Sequence, residues 1–304
     1  MSSKDNNLKK ILRKFWYRFV ILNLKIHKKK PEVYSSKYTV DYIIKNGCSV
    51  SRFGDGEFKW ALGIKQYSFE RNSNELSVRL KEILKHPQKK NCIVCVSNVF
   101  EGLNSYKTEA ERYWEKLIIY HSKEIINLLD LNYHYFDTQF TRPYMDFQKN
   151  SKDFLNYFGK VKNIWKNKNI IIVEGEQTRF GVGNDLLENS KSVERIICPS
   201  NNAFEIYNKI FKNVKNYAVS KKNTIVLIAL GPTASILSFE LSDYDIQAID
   251  IGHLDVEYQW FKKSANTKIP LVGKIVNEAG KSFAGEFSAD ILEKYKKQIV
   301  LTID

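Results

Sequence analysis

Residues 48 to 63 read CSVSRFGDGEFKWALG, and the centre of this stretch sets Arg52, Asp55 and Glu57 within six residues, separated by Gly54 and Gly56. Two carboxylates this close repel unless a proton or a cation sits between them. A hard divalent ion suits such a pair, because Mg2+ and Mn2+ prefer oxygen ligands and keep positions for water and phosphate. Gly54 and Gly56 let the backbone turn sharply and let a ligand come close. Arg52 offers a two-pronged contact to a diphosphate. The same GDGE tetrapeptide also makes an ordinary turn in which Asp55 or Glu57 caps a following helix, so its spacing leaves both uses open.

Further polar groups recur at the ends of apolar runs. EGEQTRFGVGND, residues 174 to 185, gathers Glu174, Glu176, Thr178, Arg179 and Asp185 around Gly175, Gly181 and Gly183. That composition suits a loop wrapping a phosphate or nucleotide, or a solvated loop. It is not a Walker loop, and it lacks the third glycine of the dinucleotide fingerprint. GPTAS sets Gly231, Thr233 and Ser235 at a helix start, as an anion site or a plain cap. DIGHLDVEY supplies Asp250, His253, Asp255 and Glu257. His253 and Glu257 are four apart and share a helix face; they could ligate metal or supply a base, and a lone His also serves as a local cap. FTRPY places Arg142 beside Pro143, for a phosphate or a carboxylate. No Gly-x-Ser-x-Gly elbow occurs, which disfavours nucleophilic hydrolysis. Cys92 and Cys95 lie in a strand-like run where residues three apart face opposite sides, so one metal does not take both. The four cysteines read as reduced, buried thiols of a cytoplasmic protein.

The elements that must position these groups alternate. Strands are expected at CSVSRF, CIVCVS, YHYFDTQF, NIIIVEGE, ERIICPS, NTIVLIALG and DIQAIDIG, with helices between them. Strand then helix, about seven times, predicts an α/β domain with a mainly parallel sheet. Runs such as TIVLIAL are apolar throughout, as when helices cover both sheet faces. Sites in such sheets lie beyond the carboxyl ends of the strands, so the polar strand ends should converge on one crevice. From Ser264 the pattern is weak until ADILEKYKKQIVLTI, and residues 264–304 read as a lid or packing tail.

The chain of 304 residues has a formal net charge of +14, and residues 1 to 30 alone hold ten Lys or Arg against one Asp. The excess is therefore local, and a nucleic-acid-binding face is not expected. In residues 8 to 30, Leu8, Ile11, Leu12, Phe15, Trp16, Phe19 and Leu22 follow helical spacing, while Lys9, Lys10, Arg13, Lys14 and Arg18 largely fill the other side. Val20, Ile21 and Leu24 widen the apolar face. Such a helix can lie on an anionic membrane or pack on its own domain. No run is long and apolar enough to span a bilayer, so the expectation is a cytoplasmic protein, peripheral on the inner face of the cell membrane. The chain divides into this helix, residues 1–30, and one domain, 31–304, whose core covers about 36–263.

Taken together and in order, RFGDGE, TRPYMD, EGEQTRFGVGNDLL, ALGPTAS and DIGHLDVEYQW make the chain resemble the GT-D-type glycosyltransferases, a bacterial family first catalogued as a domain of unknown function. The resemblance implies a Rossmann-like sheet and a nucleotide-sugar donor, with a UDP-hexose the expected form. It also implies Mn2+ or Mg2+ at an Asp-x-Glu pair, here Asp55 and Glu57. A hexose would pass to a glycan acceptor, lipid-linked or protein-linked, in bacterial surface polysaccharide or glycoprotein synthesis. The candidate bases are Asp255, His253 and Glu176. The donor candidates are Arg52, Gly54, Gly56, Arg142, Glu174, Thr178, Arg179, Gly181, Asp185, Gly231 and Thr233. Two other readings compete: a different nucleotide-binding enzyme on a Rossmann sheet, and a catalytically inactive membrane-associated scaffold.

Overall fold

The computed structural model describes residues 3–64, 66, 69–148, 151–280 and 284–304. Residues 1 and 2 of the N-terminal segment and 281–283 of the C-terminal tail lie outside the described residues. Eight strands form one sheet: β1 (Ser49–Phe53), β2 (Cys92–Val96), β3 (Phe136–Asp137), β4 (Asn169–Gly175), β5 (Ser192–Cys198), β6 (Thr224–Ala229), β7 (Gln247–Asp250) and β8 (Ile299–Thr302). Their order is β3-β2-β1-β7-β6-β4-β5-β8, and every pairing is parallel. The sheet is thus a doubly wound α/β sheet. Its connectivity reverses at β1 and β7, which pair through Val50 and Ile249.

Alternation along the central strands feeds two cores. Ile171 and Val173 of β4, with Val226 and Ile228 of β6, pack into one face. Ile170, Ile172, Ile225 and Leu227 pack into the other. Apolar side chains on both sides are why these strands read as unbroken hydrophobic runs. The helices are α1 (Ser3–Ile26), α2 (Ser36–Asn46), α3 (Asp55–Ala61), α4 (Asn74–Lys85), α5 (Thr108–Leu128), α6 (Ser151–Val161), α7 (Tyr207–Ala218), α8 (Pro232–Leu241), α9 (Leu254–Lys262) and α10 (Ala289–Gln298). Local chemistry sets their ends. Ser35 and Ser73 accept from the backbone N–H groups of Tyr38 and Leu76, and Gly47 closes α2 in the left-handed conformation.

Two elements differ from expectation. The strand expected over residues 133–140 shortens to Phe136–Asp137, followed by a 3-10 turn at Thr138–Thr141. The Asp137 carboxylate accepts from the Gln139 N–H, a local bond that competes with a sheet ladder. The weakly patterned tail ends in α10 and an edge strand, β8, beside β5.

Glu174 on β4 belongs to this frame. Its carboxylate pairs with the Arg195 guanidinium on β5 at 2.5 Å and accepts from the Phe180 N–H at 2.6 Å, all three buried. The chain after α9 is tied down differently: Glu278 accepts from Arg142 at 2.7 Å and pairs with Lys268 at 2.6 Å. Burial raises the Glu278 carboxyl, but the Arg142, His253 and Lys268 charges outweigh it and hold the group well below the usual carboxylate range.

Glu174→Ala leaves a buried guanidinium without its anion and should cost about 3–5 kcal/mol in denaturant unfolding; a loss under about 1 kcal/mol would contradict the pairing. Glu278→Gln should cost about 1–3 kcal/mol at neutral pH. Because the folded-state pKa is depressed, that stabilisation is present above the unfolded value of 4.5 and fades as pH falls below it. A gap between wild type and variant that is constant from pH 7 to about 3 would refute the ionic origin.

Candidate active site

The carboxyl ends of the strands enclose a crevice of about 710 Å3. Its centre is the β1–β7 switch point, where open α/β sheets bind ligands. Arg52 is the penultimate residue of β1 and Asp250 the last of β7, and the two pair at 3.1 Å. Arg52 Nε also donates to the Thr138 carbonyl at 3.3 Å, and the Ser235 hydroxyl on α8 meets the Arg52 carbonyl at 2.7 Å. The fit is close. Gly252 follows β7 with φ of 49°, and a side chain there would stand 2.2 Å from Arg52 Nη1, so only glycine suits. Arg52 therefore clasps the two central strands as well as facing the crevice.

The turn after β1 starts α3, the short helix that carries both candidate metal ligands. Glu57 reaches back so that its Oε2 accepts from the Gly54 N–H at 2.8 Å. Asp55 Oδ2 accepts from Lys59 Nζ at 3.3 Å and from the Tyr113 hydroxyl. Both carboxylates line the crevice with Gly54 and Gly56. Burial and the Asp250 carboxylate push the Glu57 carboxyl up to about 7.

The other candidates separate into two groups. Arg142, Thr178, Gly231, His253 and Asp255 line the crevice. Gly231 starts α8 with φ of 54°, its face covered by the Phe69 ring; Thr233 is buried behind it, outside the lining. Glu174, Glu176, Arg179, Gly181 and Asp185 lie outside the lining as well. After Thr178 the loop folds onto the rest of the domain. Arg179 donates to the Gly273 carbonyl at 2.9 Å, Gly181 packs on Leu187, and Asp185 binds Lys162 at 2.7 Å and the Tyr258 hydroxyl at 2.8 Å. Hydrogen bonds from Lys162 and Tyr258 override the burial that would raise Asp185 and hold it down at about 2. Glu176 is exposed.

The three candidate bases also divide. Asp255 is buried and engaged by Asn184 and Lys274. His253 precedes α9, with Nδ1 3.3 Å from Glu278 Oε1 but in no hydrogen bond. Burial, then the Arg142, Arg52 and Lys268 charges, lower its imidazole to about 4 against the pull of Glu278. It is therefore neutral at pH 7. Glu257, expected on the same helix face, turns away to accept from the Tyr144 and Met145 N–H groups, both at 2.8 Å.

Sequence reasoning missed several lining residues. Trp60 and Phe69 meet edge to face at 6.0 Å, and Glu70, Tyr113, Lys268 and Glu278 complete other walls. Among the described residues, six buried polar atoms of the lining have no hydrogen-bond partner: Trp60 Nε1, Ser97 Oγ, Thr138 Oγ1, Gln139 Oε1, Ser200 Oγ and His253 Nδ1. Apart from His253, nothing in their local sequence marks them, since each is an ordinary residue until the sheet assembles.

Comparison with known proteins agrees with this fold. A probable glycosyl transferase Gly of Streptococcus gordonii is 35% identical over 271 residues, 89% of this chain and 39% of its own length. Glycosyltransferase GlyD of Streptococcus pneumoniae serotype 4 is 35% identical over 265 residues, 87% of this chain and 32% of its own length. The chain thus spans about two fifths or less of these curated relatives. A solved structure described as a new glycosyltransferase from Streptococcus sanguinis superposes with a TM-score of 0.83 at 35% identity, covering 90% of this chain and all of that one. Another, of a conserved domain of unknown function with a distinct glycosyltransferase fold, gives 0.82 at 34% identity, covering 91% of this chain and 98% of that one. The model of the glycosyltransferase GT-D fold matches residues 50–279, a span that holds β1 from its second residue, β2 through β7 and every residue lining the crevice, and the chain belongs to that family.

Proposed function

We propose that the crevice binds a nucleotide-sugar, a UDP-hexose, and transfers its hexose to a glycan acceptor in the synthesis of a bacterial surface polysaccharide or glycoprotein. One observation carries this reading: Asp55 and Glu57 share a crevice with six buried polar atoms that lack partners. Such atoms call for a polar ligand, and a hydroxyl-rich sugar diphosphate supplies donors and acceptors together.

The donor set also bears on a divalent cation. Among the described residues, no group of three or more His, Cys, Asp or Glu is placed to hold a metal by itself. Asp55 uses Oδ2 and Glu57 uses Oε2 in the bonds described above, which leaves Asp55 Oδ1 and Glu57 Oε1 as hard oxygens for Mn2+ or Mg2+. This fits a cation that takes the rest of its shell from phosphate and water. When bound, it supplies charge neutralisation for a departing diphosphate.

The residues of the chain account for the rest. An acceptor oxygen attacks the anomeric carbon, the bond from that carbon to the diphosphate breaks, and the acceptor hydroxyl's proton passes to His253. Of the three candidate bases, His253 is the one that lines the crevice with a nitrogen in no hydrogen bond, whereas Asp255 is engaged by Asn184 and Lys274 and Glu176 lies outside the lining. Arg142 and Lys268, held on the same wall by Glu278 and Asp146, offer N–H donors where negative charge grows on the leaving group. Trp60 and Phe69 offer aromatic surface for the nucleobase or the sugar ring. Arg52, already paired with Asp250, holds the floor. The nucleotide-sugar donor places the reaction on the cytoplasmic side of the cell membrane.

A panel of nucleotide-sugars tested by thermal shift with and without Mn2+ should show UDP-hexoses stabilising most. A ligand at about a hundred times its Kd adds about 2.7 kcal/mol. The double variant Asp55→Ala, Glu57→Ala should lose about 10²–10³-fold in metal-dependent donor hydrolysis; hydrolysis that survives both the variant and chelation would sink the assignment. His253→Gln should lower kcat for transfer about a hundredfold or more with KM for the donor little changed. With Mn2+ saturating, so that Glu57 stays ionised, the wild-type rate should be flat near neutral pH and fall as the imidazole protonates around 4. Equal kcat in the variant would remove His253 from the mechanism.

A further inference from the structure

The N-terminal helix has two apolar faces, and only one is used by the domain. The inner face carries Tyr17 and Leu24, both buried, with Val20 and Ile21 packed beside them. Polar ties reinforce it: the Tyr17 hydroxyl donates to the Val99 carbonyl at 2.7 Å, Lys14 pairs with Glu111 at 2.7 Å, and Arg13 pairs with Glu115. These contacts fix α1 along the first turns of α5. The outer face is the stripe from Leu8 to Ile26, and its members Leu12, Phe15, Trp16, Phe19 and Leu22 are 49–60% exposed. Three of its rings stack edge to face, Phe15 on Trp16 at 6.0 Å and Trp16 on Phe19 at 5.8 Å. At 1.5 Å per residue the stripe runs about 27 Å. Exposed apolar surface of this extent on a helix already anchored to its domain marks an interaction site.

Charge decides what covers it. On a wheel of roughly 100° per residue, Lys9 borders the stripe on one side and Arg18 and Lys25 on the other. All three are exposed. Among the described residues none of them is in an ion pair, unlike Arg13, Lys14 and Lys30, which are engaged by Glu115, Glu111 and Glu101. A second copy docked on this stripe would bring the same cations together across the seam, where like charges oppose association. An anionic bilayer meets them with opposite charge while its headgroup layer accepts the aromatic and aliphatic stripe. No described helix is long and apolar enough to cross a membrane, so the contact is in the plane of the surface.

We propose that α1 seats this protein on an anionic lipid bilayer, with its outer apolar stripe in the headgroup layer and Lys9, Arg18 and Lys25 among the lipid phosphates. The crevice wall at Glu109, Ala110, Tyr113 and Trp114 belongs to the same first turns of α5 that α1 grips. The seat therefore holds the crevice close to the membrane. Resting on the proposed transferase reading, this suits an acceptor carried on lipid.

The full chain is sedimented with vesicles of phosphatidylcholine alone and of phosphatidylcholine mixed with phosphatidylglycerol. Binding is expected to the anionic vesicles and to weaken with salt. Four of the five tryptophans, Trp60, Trp114, Trp165 and Trp260, are buried. A blue shift and loss of iodide quenching on adding vesicles should therefore report Trp16 and vanish in Trp16→Phe. Phe15→Ser, Trp16→Ser and Phe19→Ser combined should cut vesicle affinity at least tenfold, and each of Lys9→Gln, Arg18→Gln and Lys25→Gln about fivefold. These exposed changes leave donor hydrolysis in vesicle-free buffer unchanged, so failure of the seat and failure of the chemistry are read separately. Absence of binding to anionic vesicles overturns the proposal. If light scattering then shows a dimer that the triple serine variant dissolves, the stripe belongs to a second copy; if the chain stays monomeric, it is not a docking surface.

Discussion

The ion pair between Arg52 and Asp250 is the contact on which the site depends. It joins the carboxyl ends of the two strands where the sheet's connectivity reverses, and it sits among close neighbours: the Ser235 hydroxyl, the Thr138 carbonyl and Gly252. A buried guanidinium and carboxylate are costly apart and tolerable together. Their pairing therefore fixes the ends of β1 and β7 relative to each other. Asp55 and Glu57 hang from the end of β1, and His253 from the end of β7, so one clasp sets the spacing of groups from distant parts of the chain.

Charge density in the chain proved a poor guide to where chemistry sits. The stretch EGEQTRFGVGND is the richest in acids and glycines, yet its Glu174, Arg179 and Asp185 hold the fold together through Arg195, Gly273 and Lys162. Only Gly175, Thr178 and Phe180 of that stretch reach the crevice. Burial explains the difference. A carboxylate taken out of water needs a cation or several N–H donors, and the loop meets that need inside the domain. The crevice instead concentrates unpartnered hydroxyl, indole and imidazole atoms, groups whose desolvation is cheaper and which a polar ligand can satisfy.

The N-terminal helix shows a related division. Its apolar residues fall into two stripes, and their sum blurred the amphipathic pattern. The domain takes Tyr17, Val20, Ile21 and Leu24; the stripe through Phe15, Trp16 and Phe19 stays outside. A helix that is apolar on two sides and basic between them is suited to bridge two different surfaces.

The sequence alone determined the α/β class, the parallel sheet and nearly all of its strands, because strands buried on both faces must be apolar throughout and helices between them must carry one apolar stripe. It also placed Asp55, Glu57, Arg142 and His253 at strand ends, since glycine and proline punctuate those turns. Tertiary structure alone decided that Phe136–Asp137 stops after two residues, where a side-chain bond captures the backbone, and that the tail ends as strand β8. It alone brought Glu278 from that tail onto Arg142, with Lys268 pairing the same carboxylate, and left Ser97, Thr138 and Ser200 unpartnered in one crevice. Periodicity records which face of an element meets apolar surroundings; it carries no record of which residues meet across a hundred positions, and that is settled by how the elements pack.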